Sequence, residues 1–220
     1  MNAIFAPDSA LMRVLTRIAD LAILNILFIV TSLPIVTLGA SLTALNSVAL
    51  RIAAGSDRTI TGDYFRSFRR NFRQATLLFG ILVLLVAVLA GWWIVVTVLV
   101  TEPVLRFILL AVWFVLTFMF TMAALYVFPY LATFEGTIRE VLRTARLMSL
   151  RHPLPPLTVI ALTALLAVVS IFSPQATGYG LLWLAIGFAG IAFLGAVVFI
   201  RVFNRYAPEL VVPAAEDEEE

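Results

Sequence analysis

Long apolar runs alternate with short polar stretches along the chain. Four of these runs have about the length of a membrane-spanning helix: Ala75 to Val100, Val104 to Phe128, Leu157 to Phe172 and Gly180 to Ile200. A helix needs about 20 apolar residues to cross the roughly 30 Å hydrocarbon core of a bilayer. Each run therefore predicts one span, of which the third is slightly short.

The remaining apolar stretch, Leu11 to Ile52, is too long for one span and is interrupted by Pro34 and Gly39. It predicts one of two arrangements. A single span with a long tail gives five membrane helices in total. A hairpin that runs out over Leu11 to Leu33, turns at Pro34 and returns over Ile35 to Ile52 gives six.

The arginines favour the hairpin. All basic residues are Arg, and all but Arg106 fall in four stretches between the apolar runs: Arg13 with Arg17, Arg51 to Arg73, Arg139 to Arg151, and Arg201 with Arg205. Cytoplasmic connections carry the excess of Lys and Arg in membrane proteins. A single first span would put Arg13 and Arg17 on the side opposite the other stretches, whereas a hairpin puts all four on one side. We predict an all-α transmembrane bundle of six spans, with five as the alternative and both termini cytoplasmic.

Composition agrees with a membrane protein and narrows its chemistry. Apolar residues make up 62% of the chain and charged residues 13%, against about 45–50% and about 25% in soluble domains. The chain has no Cys and a single His, and it contains no phosphate loop or metal-ligand spacing. We therefore predict a protein that is not an enzyme, with no catalytic residue, cofactor, metal site or nucleic-acid partner. Residues 1–205 form one transmembrane domain in this prediction, and 206–220 form an acidic, disordered tail.

Two basic amphipathic helices are predicted on the cytoplasmic side, at Asp63 to Gln74 and Thr137 to Leu150. In each, apolar residues recur at helical spacing and arginines occupy the remaining surface. The arginines are Arg66, Arg69, Arg70 and Arg73 in the first helix, and Arg139, Arg143 and Arg146 in the second, which Arg151 follows. Two interpretations stay open. The helices anchor in anionic lipid headgroups, or they dock a cytoplasmic partner with an acidic groove.

Polar and aromatic residues inside the predicted spans are candidates for substrate contact, since intramembrane polar groups are often functional. They are Asp20, Asn25, Asn46, Trp92 and Trp113. The competing interpretation is structural: Arg17 lies one turn from Asp20 and can pair with it, and the tryptophans can face lipid or each other.

Four further residues predict the turn and the packing of the hairpin. Pro34 marks the turn, and Gly39, Thr43 and Ser47 form a ridge of small residues at four-residue spacing. Such ridges allow membrane helices to approach closely. The return helix is also short and polar, so we expect protein to shield it from lipid.

Several short stretches of the chain carry a resemblance to a known family. The most specific is the run Leu33-Pro34-Ile35-Val36-Thr37-Leu38-Gly39-Ala40-Ser41. The others are Phe5 to Arg13, Ala19 to Leu21, Leu24-Asn25, Leu42 to Leu45, Phe65 to Phe68, Asn71 to Ala75, Phe128-Pro129 and Ser149 to Pro153. Over nearly the whole chain, these stretches resemble the YesL family of bacterial membrane proteins, a domain of unknown function. The resemblance implies a genomic context beside carbohydrate ABC importers and glycan-degrading enzymes, and a place in the bacterial inner membrane.

Three functions are consistent with these features. The first is an accessory or permease-like component of a carbohydrate ABC importer, which docks importer subunits or another membrane protein through the two arginine helices. The second is a membrane-embedded sensor or scaffold with no transport activity. The third, a stand-alone carrier of small solutes, has less support because buried charge is sparse. A homo-oligomer stays open for all three.

Overall fold

Helices form all of the regular secondary structure in the residues that the computed structural model describes, which are 10–55, 59–172 and 180–206. There are seven: α1 (Ala10–Ser32), α2 (Leu38–Ala54), α3 (Ile60–Leu99), α4 (Pro103–Thr133), α5 (Ile138–Arg151), α6 (Leu154–Phe172) and α7 (Gly180–Phe203). A short 3-10 turn, Ile35–Thr37, precedes α2, and a π-helical segment, Trp183–Gly187, lies within α7. The predicted acidic tail lies outside the described residues, apart from Tyr206.

Six of these helices are long and apolar enough to cross a membrane, and α5 is the exception. The prediction of six spans is therefore confirmed, and the chain is a multi-pass membrane protein. The span boundaries are wider than predicted at α4, which continues through Pro129 to Thr133. The cytoplasmic position of both termini stays a prediction.

The first two spans form the expected hairpin, which is tied at both ends. Pro34 has an extended backbone (φ −76°, ψ 119°), and proline cannot continue the hydrogen bonding of α1. The hydroxyl of Thr37 closes the turn by donating to the carbonyls of Thr31 (2.5 Å) and Pro34 (2.6 Å). At the other end the Arg17 guanidinium donates to the carbonyl of Ile52, in the last turn of α2.

The return helix α2 is the central helix of the bundle. In the most apolar part of this span, 61% of the residues are buried inside the protein, against 6 to 22% in the other spans. The expectation that protein shields α2 is therefore confirmed. Its closest approach is at Gly39, where a Cβ atom would lie 2.8 Å from Cβ of Phe79 and would overlap the backbone carbonyl of Ala75 on α3. Thr43 and Ser47, on the same ridge, are also buried.

One prediction about α3 was wrong. The amphipathic segment Asp63 to Gln74 and the span that begins at Ala75 are not separate helices but one 40-residue helix. No Gly or Pro interrupts the helix between them. The antiparallel α2 packs along its first half, with Arg51 beside Asp63 and Gly39 beside Ala75. Beyond Leu82, Val96 is the one buried side chain of α3, so the second half runs past the α1–α2 hairpin.

Candidate functional site

The first half of α3 buries a polar stripe rather than its phenylalanines. Asp63, Ser67, Asn71 and Ala75 recur every four residues and are all buried. Phe65, which follows the same helical spacing as Phe68 and Phe72, is exposed. Small polar side chains let α2 approach closely, and that contact decides which face of α3 is buried.

Asp63 is the charged residue of this stripe and lies at its N-terminal end, where it is only 6% exposed. Arg51 of α2 lies 2.9 Å from one carboxylate oxygen, and Arg66 of α3 lies 3.1 Å from the other. A buried carboxylate needs such partners, because its desolvation is otherwise costly. Arg66 therefore pairs with Asp63 inside the molecule, whereas the sequence analysis counted it among the arginines that bind lipid or a partner. The spacing of three residues between Asp63 and Arg66 is a signal that could have shown this pair.

Tyr64 joins the same end of α3 to α1. Its ring is fully buried, and its hydroxyl lies 2.5 Å from the hydroxyl of Thr31. Thr31 also provides the carbonyl that accepts from Thr37 at the hairpin turn. The start of α3 is therefore fixed to both helices of the hairpin, which gives the arginines of α3 a rigid support.

The other three arginines of this segment lie on the opposite, exposed side of α3. Arg69, Arg70 and Arg73 form no ion pair with any residue that the structure describes. Together with Phe68 and Phe72, whose ring centroids are 5.6 Å apart, they line a shallow surface depression of about 350 Å³. We call this set of five residues the α3 arginine surface.

The second arginine helix, α5, begins at a capping box, in which two residues satisfy each other's backbone. The backbone N–H of Thr137 donates to Glu140 Oε2 (2.7 Å), and the backbone N–H of Glu140 donates to Thr137 Oγ1 (3.4 Å). The hydrogen bond from the Thr137 backbone N–H, together with a weaker one from the Thr137 side chain, holds the pKa of the exposed Glu140 carboxyl below its usual value. Just before the cap, the carbonyl of Gly136 accepts from the side chain of Gln74 (2.6 Å), which ties α5 to α3.

A groove of about 740 Å³ separates one face of α5 from α3 and α4. Val141 and Ala145 of α5 are fully buried and hold the helix in place. The apolar wall comes from α3 and α4: Leu82, Leu85, Leu116, Met119, Phe120, Ala123, Ala124 and Val127. The α5 side carries Arg139, Leu142, Arg143, Ala145, Arg146, Ser149 and Leu150. We call this cavity the α5 groove; Arg151 is exposed and does not line it.

Asn25, a candidate for substrate contact, makes three side-chain hydrogen bonds to the backbone of α7. It is fully buried; its amide donates to the carbonyls of Trp183 (3.0 Å) and Leu184 (2.7 Å), and its carbonyl accepts from the backbone N–H of Ala189 (2.9 Å). Trp183 and Leu184 begin the π-helical segment Trp183–Gly187, in which backbone hydrogen bonds are displaced, and Ala189 lies just after it. Asn25 therefore holds an irregular turn inside the membrane domain.

The two tryptophan candidates lie in the α3–α4 hairpin but do not pair with each other. Trp113 packs against Trp93 with the two rings tilted at 51° and their centroids 4.8 Å apart, and it donates its indole N–H to the carbonyl of Leu89 (2.7 Å). The indole N–H of Trp92 is buried and has no hydrogen-bond partner among the described residues. The structure therefore brings Trp113 to Trp93 rather than to Trp92.

The remaining polar candidates are Asp20 and Asn46. Asp20 is partly buried and forms no ion pair within the described part of the chain, because Arg17 is directed to the end of α2 instead. Asn46 donates to the carbonyl of Leu42 in its own helix (2.8 Å) and lines a largely apolar cavity of about 420 Å³ among α1, α2, α4, α6 and α7. Among the described residues, no group of three His, Asp or Glu side chains could hold a metal ion.

Residues 21–91 match the family model described as "Protein of unknown function, DUF624". This is the YesL-like family, so the resemblance seen in the sequence is confirmed for that region. The match includes α1 from Leu21 onwards, all of α2, the Asp63 stripe and the α3 arginine surface, and it ends within α3, before α4 and α5. No curated protein and no solved structure matches the chain.

Proposed function

We propose that this DUF624-like membrane protein is an accessory component that docks an acidic surface of another protein through the α3 arginine surface. The observation that supports the proposal is the division of α3 into two faces. Asp63 and the polar stripe are committed to α2, whereas Arg69, Arg70 and Arg73 are exposed and lack acidic partners among the described residues. Planar guanidinium groups recognise carboxylates bidentately, and flanking phenylalanines add apolar contact.

The partner in this proposal is a subunit of a carbohydrate ABC importer in the bacterial cytoplasmic membrane. The partner's identity comes from the YesL-like resemblance and its genomic context, and the docking surface comes from charge and exposure. A rigid support for the arginines favours docking, because less side-chain and backbone freedom is lost on binding. Tyr64 and Asp63 supply that support.

The test is co-purification in mild detergent, followed by identification of the proteins that co-elute. We compare the wild type with the triple variant Arg69→Gln, Arg70→Gln, Arg73→Gln. A matched control, Arg139→Gln, Arg143→Gln, Arg146→Gln, removes the same charge from α5. We expect importer subunits to co-elute with the wild type and the control and to be lost from the α3 variant. Reproducible absence of any importer subunit from the wild-type sample argues against the proposal.

A scaffold or sensor without transport activity is the second candidate. Two of the polar groups proposed for substrate contact support it, because they already bond the protein. The amide of Asn25 and the indole N–H of Trp113 both donate to backbone carbonyls. Uptake assays in proteoliposomes separate it from a carrier. We expect no uptake of sugars with the isolated protein. Uptake that disappears in Asp20→Asn would instead support a stand-alone carrier.

A further inference from the structure

We propose that the α5 groove binds one anionic phospholipid, with Arg139, Arg143 and Arg146 around its phosphate and an acyl chain along the apolar wall. This site is separate from the α3 arginine surface and does not depend on any protein partner. The positions of the three arginines, their charge and the apolar wall of the groove support this assignment.

The three arginines lie on one face of α5. They follow one another at intervals of four and three residues, so each is one turn from the next. Over seven residues the helix rises only about 10 Å, which lets the three guanidinium groups converge on one headgroup. All three are exposed, and all three line the groove.

Their charges are uncompensated in the part of the chain that the structure describes. Like charges one turn apart on a helix repel each other, and none of the three arginines has an ion-pair partner among the described residues. Glu140 is the one acid in α5, and its carboxylate accepts from the backbone N–H of Thr137 at the cap. A bound anion removes the repulsion, and guanidinium groups bind phosphate oxygens with paired, charge-assisted hydrogen bonds.

The wall opposite the arginines belongs to the membrane spans. Leu116 and Met119 lie in the middle of α4, and Leu85 lies in the apolar half of α3. A soluble anion or an acidic peptide makes no use of such a wall, whereas a phospholipid has both an anionic headgroup and an acyl chain. A volume of about 740 Å³ is within the range of ligand sites.

The groove is also formed before any ligand binds. Val141 and Ala145 are fully buried, the capping box fixes the start of α5, and the Gln74 side chain bonds the preceding carbonyl. Tyr126 of α4 donates its hydroxyl to the carbonyl of His152, just after α5 (2.6 Å). Both ends of the helix are therefore attached to the bundle, and binding does not require α5 to be ordered first.

The chain's own acidic residues are the competing occupant. Tyr206 lies 3.1 Å from the His152 ring nitrogen, so the chain leaves the described region close to the end of α5. Glu216, Asp217, Glu218, Glu219 and Glu220 follow it in the sequence. These acids match the charge of the arginines but not the apolar wall, which is why the lipid is favoured.

Native mass spectrometry of the delipidated full-length protein tests the proposal with added phosphatidylglycerol or phosphatidylcholine. We expect the wild type to retain one phosphatidylglycerol and to show no comparable retention of phosphatidylcholine. Each arginine near an anionic headgroup contributes roughly a factor of five in affinity. The variant Arg139→Gln, Arg143→Gln, Arg146→Gln should therefore bind on the order of a hundredfold more weakly, while the α3 triple variant binds as the wild type does.

Two further measurements separate the possible occupants. Glycerol 3-phosphate in excess should not displace the lipid, because it lacks an acyl chain; displacement would mean that the groove is a phosphate site only. Deletion of residues 216–220 should leave lipid retention unchanged. If phosphatidylglycerol is retained only after this deletion, the acidic tail is the occupant and the proposal is overturned.

A second variant keeps the arginines and fills the groove. Ala123→Phe adds a ring to the apolar wall, and we expect it to lower retention of phosphatidylglycerol at least tenfold. If the triple arginine variant does not fold, the result with Ala123→Phe tests the lipid site by itself. Equal retention by the wild type and by folded samples of either variant overturns the proposal, whatever the co-purification experiment on α3 shows.

Discussion

The side-chain carbonyl of Asn25 in α1 accepts the backbone N–H of Ala189 in α7 at 2.9 Å. The same side chain donates to two carbonyls, of Trp183 and Leu184, at the start of the π-helical segment Trp183–Gly187. A π segment displaces backbone hydrogen bonds, and within a bilayer those groups need partners inside the protein. One amide thus makes an irregular turn possible in an otherwise apolar span.

Replacement of this amide by an apolar side chain of similar size should destabilise the bundle. Asn25→Leu leaves two carbonyls and one N–H buried without their partner, and each such group costs about 1–3 kcal/mol. We expect a loss of about 2 kcal/mol or more, measured by thermal or denaturant unfolding in detergent. Asn46→Leu is the control, since Asn46 bonds only a carbonyl of its own helix in the described structure. Equal losses in the two variants contradict this account.

Gly39→Ala tests the contact between α2 and α3. The added methyl group overlaps the carbonyl of Ala75 and lies 2.8 Å from Cβ of Phe79. Because the obstacle is backbone rather than a flexible side-chain end, the helices must separate, and we expect a loss of about 1–3 kcal/mol of stability. Gly190→Ala, where nothing lies within 4 Å of the added atom, is the matched control. It should be neutral or slightly stabilising in the same unfolding assay, and a comparable loss there would contradict the packing explanation.

Asp63→Asn tests the buried ion pair. The substitution keeps the shape of the side chain but removes the charge that Arg51 and Arg66 face. Arg51 is 38% exposed and can reach water, so we expect a loss of about 1–2 kcal/mol rather than the larger value of a fully buried pair. Arg66→Gln should cost less, because the Arg66 side chain is 69% exposed. A double-mutant cycle of Asp63 with Arg51 measures the coupling, and a coupling of zero contradicts the assignment.

The start of α5 should depend on pH through Glu140. Hydrogen bonds from Thr137 lower the pKa of the Glu140 carboxyl in the folded state, so the carboxylate stabilises the cap. That stabilisation is fully present above the usual pKa of about 4.3, and it is lost as the pH falls through the lowered folded value. Hydrogen exchange of the 137–141 segment, corrected for intrinsic rates, should show this loosening at acidic pH.

Glu140→Gln provides the control for the pH experiment. The amide still accepts a hydrogen bond but does not titrate, so the pH dependence of protection should disappear while most of the cap remains. Persistence of the same pH dependence in this variant would assign the effect to another group.

Local and periodic signals predicted much of this structure. The apolar runs gave four spans, the positions of Arg13 and Arg17 favoured a hairpin and therefore six spans in all, and Pro34 marked the turn of that hairpin. These features depend on residues close together in the chain or on the bilayer, which acts on every span alike.

The missed features depend on distant contacts. Asp63 and Ser67 of α3 are buried because α2 packs on that side, and the sequence of α3 alone does not show where α2 lies. The partners of Asn25 lie about 160 positions away, and no periodicity connects them. The α5 groove is formed by α5 folding back along α4, so its arginines could be identified from the sequence but the opposite wall could not.

The 40-residue α3 has a consequence for the membrane itself. Its length of about 60 Å is twice the hydrocarbon thickness, and α2 covers only the half that carries the arginines. The α1–α2 and α3–α4 hairpins therefore present their apolar surfaces at different heights. A flat bilayer of uniform thickness cannot match both, and each ångström of mismatch costs a fraction of a kcal/mol. We expect the bilayer to deform to different extents next to the two hairpins, and the stability of the protein to vary with bilayer thickness.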